Sequence, residues 1–542
     1  YAAPVMPPVR LPGTPGVNGS VATSGQYQYD TVILERPNAN ITVTVSTGTH
    51  NIRKLYMRET LNITGGSLTM SYNPAYRPND STDVLHGGLL SAQFSGPVTL
   101  SGGTLNVHTL QVDSTRTFTL GGGTLAFNTI NLMPHSTTPA KMLVTNSVNI
   151  NASGGTIATI TNGSGTGSSG LIDLGAGTRS ISVGSTTDLL LYVALTNGGL
   201  NKAGLGLMRL SKPSGYTLGT TVSSGTLLVN NTTGSGTGTG NITVNSGATL
   251  GGTGFISGQV SVSPGATIAP GLVPSIGTLT LGSAQTLSGT AFMAIDRNGG
   301  SPVADKIVVS SGTLSYGGTL TVSNAGAAFV GGDVFTLFNA PSYTGAFAAT
   351  NLPSLTNGMN WWLGNLVTNG SIKVNRKPIG NTDTFTNNPT KVLQIPIASL
   401  KSNDTDPDGD SITLTSIAAT TTNGVTLTTN STHIFYSNNV NVADQFSYTI
   451  NDGHGGTNNG TVSIVQSTNA IFSTFPTVSS NSVTLQIIGY PGTNYYIDRS
   501  TNLPVWLTIS TNVAPANGVI NFTDTFPGLN PRPAASYYRF KW

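Results

Sequence analysis

Two neighbouring stretches decide the fold: "VTLSGGTLNVHTLQV", Val98 to Val112, and "FTLGGGTLAFNTINL", Phe118 to Leu132. At a shift of 20 residues, Thr99, Leu100, Gly102, Gly103, Thr104, Leu105 and Thr109 recur as Thr119, Leu120, Gly122, Gly123, Thr124, Leu125 and Thr129. Within the first copy the apolar residues alternate: Val98 and Leu100, Leu105 and Val107, Leu110 and Val112. Alternation marks a strand with one face turned inward. The Gly pair falls between strands, where the chain bends and a positive φ is cheap only for glycine. A short-strand repeat of this period predicts a β-solenoid, in which each rung buries the next.

Weaker copies occur at "LNITGGSLTM" (Leu61 to Met70), "GGTIATI" from Gly154, "SGTLLV" from Ser224, "SGTLSY" from Ser311 and "GGTLTV" from Gly317. The competing pattern is a Gly/Thr-rich sandwich of hairpins, whose short loops favour Asn-Gly. Asn-Gly occurs at Asn18, Asn162, Asn197, Asn298, Asn357 and Asn369, all outside the 98–132 repeat.

Composition narrows the function classes. Only 8% of the residues are charged, against about 25% in ordinary soluble domains. The net charge is +3, with no concentrated basic stripe of the kind a nucleic-acid surface needs. The absence of cysteine removes disulfides, thiol catalysis and Cys-ligated metals. No apolar run is long enough for a membrane-spanning helix. The chain starts at Tyr1, and "YAAPVMPPVR" lacks the charged and apolar regions of a signal peptide. A secreted chain with its signal peptide removed is the expectation.

Residues 198–271 carry a more specific pattern. Its runs are Asn201-Lys202-Ala203-Gly204, Ser224-Gly225-Thr226-Leu227-Leu228-Val229-Asn230 and Ser246-Gly247-Ala248-Thr249-Leu250-Gly251-Gly252. They resemble the autotransporter-associated β-strand repeat of bacterial passenger proteins. Residues 277–375 resemble the closing rungs of such passengers. The resemblance implies a right-handed parallel β-helix exported to the cell surface, over residues 17–374, behind an extended Pro-rich arm at 1–16. It does not extend to a C-terminal membrane barrel with aromatic girdles, so another export route is expected.

The texture changes at "NRKPIGNTDTF", Asn375 to Phe385. "SLKSNDTDPDGDSITLTSI" and "DQFSYTINDGHGG" resemble the cadherin-like, Ig-like repeat of large secreted bacterial proteins, here spanning 375–466. Asp404, Asp406, Asp408 and Asp410 fall within seven residues of a chain with 20 acids. Alternate carboxylates around Gly409 can converge on Ca²⁺, with Asp452 closing the site and Asn403 helping. The loop is no EF-hand, since its twelfth position is Thr415. The alternative is a solvated acidic turn, where Asp, Pro and Gly are favoured anyway. Residues 467–542 resemble a small C-terminal β-module of secreted bacterial proteins. Tyr538, Phe540 and Trp542 share a strand face, and core packing with Trp506 is preferred over a sugar platform.

The class expected is thus all-β: a parallel β-helix followed by two small sandwich-like domains. No active site is expected. Glycoside hydrolysis usually needs two carboxylates flanking one bond. Between residues 84 and 380 the acids are Asp113, Asp173, Asp188, Asp296, Asp305 and Asp333, and no neighbouring pair is spaced by one repeat. A polar insertion at 71–88 holds Tyr72, Tyr76, Arg77, Asp80, Asp83 and His86; it reads better as a surface loop than as a site. The expected function is non-enzymatic and extracellular: a self-assembling subunit of a surface filament, sheath or layer, its arm lying on a neighbouring copy. An adhesin binding glycans or other cells, and a β-helix polysaccharide-degrading enzyme, are the alternatives.

Overall fold

The computed structural model describes residues 31–34, 42–52, 54–57, 60–70, 89–90, 97–112, 116–133, 137–163, 166–271, 275–297, 300–356, 358–388, 391–438, 440–529 and 531–542. The arm at 1–16 and the insertion at 71–88 lie outside the described residues. The described residues are all-β, 52% strand and 2% helix. Among the described residues no helix is long and apolar enough to cross a membrane. The described chain forms two compact units. One runs to Ala328 and adds Val334–Ser354 and Leu363–Ile372; the other holds Phe329–Asp333, Leu355–Trp362 and Lys373–Trp542.

In the first unit the two repeat copies lie side by side. Strand Thr104–Val112 pairs in parallel with Thr124–Leu132, setting Leu105 beside Leu125, Val107 beside Phe127, Leu110 beside Ile130 and Val112 beside Leu132. Hairpin arms would run antiparallel, so these copies are not a hairpin. All of these side chains are at most 2% exposed, and burying one such side chain stabilises by about 1.5–3 kcal/mol. The bends stack as well. Gly103 and Gly123 have φ of 63° and 75°. A Cβ on Gly103 would lie 2.4 Å from the Gly66 carbonyl oxygen, and one on Gly123 would lie 2.6 Å from that of Gly103. Glycine is therefore required twice, for its backbone conformation and for the close approach of the preceding turn.

The same rule continues along the unit. One seven-stranded sheet runs in order Thr42–Val45, Thr60–Ile63, Val98–Leu100, Thr117–Leu120, Lys141–Val144, Leu171–Asp173, Ala194–Thr196. A second file passes in register through Leu207–Leu210, Thr226–Val229, Thr249–Gly252, Thr267–Pro270, Thr290–Asp296, Thr319–Asn324 and Ala349–Asn351. It stacks Met208, Leu227, Leu250, Ile268, Ala291 and Leu320 inside. An antiparallel pair also occurs: Ile295 and Asp296 face Ala304 and Val303. These two strands follow one another in the chain, so the hairpin pattern also occurs within the ladder. At the last strands the Tyr316 ring lies 4.7 Å from that of Phe347 and meets Phe338 edge-on at 5.2 Å, and its hydroxyl donates to Leu366 O at 2.8 Å in the short helix Leu366–Asn369.

Lys202 breaks the apolar rule. It is fully buried on the inward side of Gly199–Ala203, and its Nζ donates to the carbonyls of Ala203, Gly204 and Ser224 at 3.1, 2.8 and 2.9 Å. Burial pulls the amine down to about 8.

The second unit contains two modules. In the first, Thr382–Thr386, Thr457–Val465, Asp444–Asn451 and Thr413–Ile417 form one sheet, and Leu393–Pro396, His433–Tyr436 and Thr428–Thr429 form another. Ile395, Ile434, Phe446, Ile450, Val462 and Ile464 fill the core. In the last module, Val483–Ile488 with Val519–Asp524 and Asn494–Ser500 with Leu507–Val513 and Tyr537–Lys541 enclose Leu485, Ile487, Tyr495, Ile497 and Ile520. Asn441, 0% exposed, joins the modules. Its Nδ2 donates to Ser467 O and Gly489 O, its Oδ1 accepts from Ser467 N–H, and its own N–H donates to Asn517 O.

The stacked bends and the buried amine can each be tested by substitution. Gly154 has φ of 76°, and a Cβ added there would meet nothing within 4 Å. Gly154→Ala is expected to cost about 1–2 kcal/mol from conformation alone. Gly123→Ala is expected to cost about 1–3 kcal/mol more than that, because a carbonyl must move. Equal denaturation midpoints for the two variants would show that close approach does not matter. Lys202→Met leaves three part-buried carbonyls without this donor, an expected loss of about 1–3 kcal/mol. The unfolded amine keeps its proton to near 10.5 while the buried one releases it near 8, so the unfolded state binds more protons between those values. Wild-type stability should therefore rise with pH across that interval, and the rise should vanish in Lys202→Met.

Candidate functional site

The acidic run forms a loop between the short helix Ile397–Leu400 and strand Thr413–Ile417. Asp406 shapes it from within. Its Oδ1 accepts from the N–H groups of Asp408 and Asp410, and its carbonyl accepts from Gly409 N–H, with Gly409 at φ 80°.

The remaining carboxylates point to different partners. Asp408 Oδ1 accepts from Arg376 Nε at 2.7 Å, and Oδ2 accepts from Arg376 N–H at 3.0 Å and lies 3.3 Å from Lys373 Nζ. Burial alone would raise the Asp408 carboxyl, but Arg376 and Lys373 outweigh it and hold the group below the usual carboxylate range. Asp410 Oδ2 lies 3.4 Å from Lys373 Nζ and 2.9 Å from His454 Nδ1, the latter off the line of a hydrogen bond. Asp404 turns inward: its oxygens lie 3.1 and 3.2 Å from the Tyr448 hydroxyl, and its Oδ1 also accepts from Asn381 N–H. Asp383 reaches the same hydroxyl at 2.9 Å; burial raises its carboxyl, and the nearby Asp404 charge adds to this. Asn403 donates through Nδ2 to Thr382 O. Asp452 accepts from Asn375 Nδ2 at 2.7 Å and from the N–H groups of His454 and Gly456.

Ca²⁺ requires six to eight oxygens around one point. Of Asn403, Asp404, Asp406, Asp408, Asp410 and Asp452, most oxygens meet protein donors, while Asp406 Oδ2 is buried without a hydrogen-bond partner. Among the described residues no three His, Asp or Glu side chains are grouped to hold one metal ion. What the loop does hold is a hairpin. Strand Met359–Trp362 runs antiparallel to Ser371–Arg376, placing Met359 opposite Arg376 and Trp362 opposite Lys373. Lys373 and Arg376 fasten one strand to Asp408 and Asp410. Asn360 donates to His454 O and accepts from Asn375, and Trp362 meets the His454 ring edge-on at 4.9 Å.

Among the described acids of the first unit, Asp173 and Asp305 are held by donors of the fold. Asp173 binds Lys141 at 3.1 Å and accepts from Asn197 and from Gly175 N–H. Asp305, 1% exposed, accepts from the N–H groups of Gly277 and Ala294, and burial pushes it up to about 6. Asp188 stands in register between Ile157 and Leu207 rather than beside another acid. In the last module Tyr538 and Phe540 pack against the core as expected. Trp542, though 63% exposed, has its ring 6.2 Å from that of core Tyr495, whereas Trp506 lies under the Arg539 guanidinium at 4.4 Å.

A family model described as the bacterial Ig domain matches residues 375–465. Such domains are often found in surface or extracellular proteins. No curated protein matches the chain.

The clamp makes a testable demand. Arg376→Ala removes charge-assisted bonds to a buried carboxylate and is expected to cost about 2–3 kcal/mol in the unfolding of the second unit. The Asp408 carboxyl is depressed, so its contribution is present above the ordinary carboxylate pKa and lost as pH falls through the folded value. Acid should therefore destabilise the wild type more than Arg376→Ala. Because protein cations occupy the loop, a chelator should leave the melting temperature unchanged; a chelator-induced drop would restore the metal reading.

Proposed function

We propose that the chain is a non-enzymatic extracellular structural protein, a self-assembling subunit of a bacterial surface filament, sheath or layer. In this reading the first unit is a right-handed parallel β-helix of autotransporter-associated repeats, and the Ig-like and C-terminal modules are its accessories. One observation carries it: parallel pairing continues in register, repeat on repeat, and one of its files ends on a strand suited to pair with another. Ala349–Asn351, the last of its file, is exposed at all three residues. The outward side of the ladder supports the same reading. Thr221, Thr243, Ser261, Thr286, Ser315 and Thr344 stand in successive register, a column of small hydroxyls without catalytic chemistry. Among the described residues, Asp173 and Asp305 are held by backbone donors rather than paired with another carboxylate, which favours this reading over the polysaccharide-degrading alternative.

The Pro-rich residues 1–16 act here as an added segment on a neighbouring copy. Negative-stain microscopy of the full chain should show regular polymers, and a chain lacking residues 1–16 should stay dispersed. Dispersed full-length protein at high concentration would overturn assembly; unchanged polymers after the deletion would overturn the role of the arm.

A further inference from the structure

The last module carries a built surface that the assembly reading does not use. In the sheet of Leu507–Val513, Asn494–Ser500 and Tyr537–Lys541, the central strand is Asn494–Ser500. Tyr537, Arg539 and Lys541 alternate outward, while Tyr538 and Phe540 go to the core. Register sets Lys541 opposite Tyr496 and Arg539 opposite Asp498.

Asp498 organises this face. It is 1% exposed; Oδ1 accepts from Thr508 Oγ1 at 2.7 Å, and Oδ2 accepts from Arg539 Nε at 3.0 Å and lies 3.2 Å from Lys541 Nζ. Burial alone would raise its carboxyl, yet Thr508, Arg539 and Lys541 hold it below the usual range. The cations also meet rings: Arg539 lies over Trp506 at 4.4 Å, and Lys541 lies 5.9 Å from the Tyr496 ring centre. One buried carboxylate thus fixes two half-exposed cations beside aromatic rings.

Charge decides the occupant. The acids of residues 467–542 are Asp498 and Asp524, and the bases are Arg499, Arg532, Arg539 and Lys541. Both acids are at most 2% exposed, and Arg499 is buried against Asp524 at 2.8 Å. Every outward side-chain charge of this module is therefore positive, and one carboxylate cannot neutralise both Arg539 and Lys541. A guanidinium whose Nε is already fixed still offers Nη donors suited to a carboxylate. Exposed Tyr496 and Tyr537 offer flat apolar faces with polar tips.

We propose that this face binds an acidic polysaccharide, with uronate carboxylates on Arg539 and Lys541 and sugar rings against Tyr496 and Tyr537. The proposal is independent of assembly, since polymers can form without glycan binding and the reverse. Isothermal titration of the full chain with polygalacturonate tests it, with dextran and phosphatidylserine vesicles as comparisons. Binding is expected to polygalacturonate and not to dextran. Arg539→Gln should weaken it about tenfold, the loss of a charge-assisted contact. Tyr496→Ser, which leaves Asp498 and both cations in place, should weaken it about fivefold through lost ring contact and guards against misfolding of the first variant. Absence of binding, equal binding to dextran or to the vesicles, or binding indifferent to both substitutions would overturn the proposal.

Discussion

The first unit depends on one constraint: each strand must find its hydrogen-bonding partner in the next repeat of its own chain. Parallel strands cannot be joined by a tight hairpin, so the chain must travel around before it returns. The glycine bends allow that return at strand spacing. Gly66, Gly103 and Gly123 stand one above another so closely that each excludes a side chain on the next. Once the bends superimpose, like falls on like, and Leu105 meets Leu125 without any further instruction.

The low charge of the chain follows from the same geometry. Outward positions of a stacked parallel ladder place identical positions next to each other, and a column of like charges would repel along its whole length. Hydroxyl columns carry no such penalty. Two charges are instead placed inside with dedicated partners: Lys202 among three carbonyls and Asp305 between two backbone N–H groups.

The ladder was legible because its signal is local and repeated. Period, alternation and the Gly pair all lie within 20 residues of their own copies. The Ig-like module was legible from its turn and strand texture. The acidic loop was legible as a feature, but its partners Lys373 and Arg376 were not, because they come more than 30 residues earlier, in a strand that reads as part of the repeats. Asp383 and Tyr448 were missed for the same reason: no spacing rule links them to Asp404. Trp506 was misplaced because an aromatic residue near a core strand gives no sign of which face it takes, and the deciding contact, Arg539, lies on another strand. Segments 329–333 and 355–362 look like the repeats in sequence, yet they pack with the second unit.

Asn441 has a mechanical consequence. A flexible tether between two folded modules would let tension straighten the joint before any bond is loaded. Here one amide grips residues 467 and 489 at once, and its own backbone reaches 517. A pull applied at the last strand must load these bonds together, so force reaches the Ig-like module through a stiff hinge instead of a slack cord.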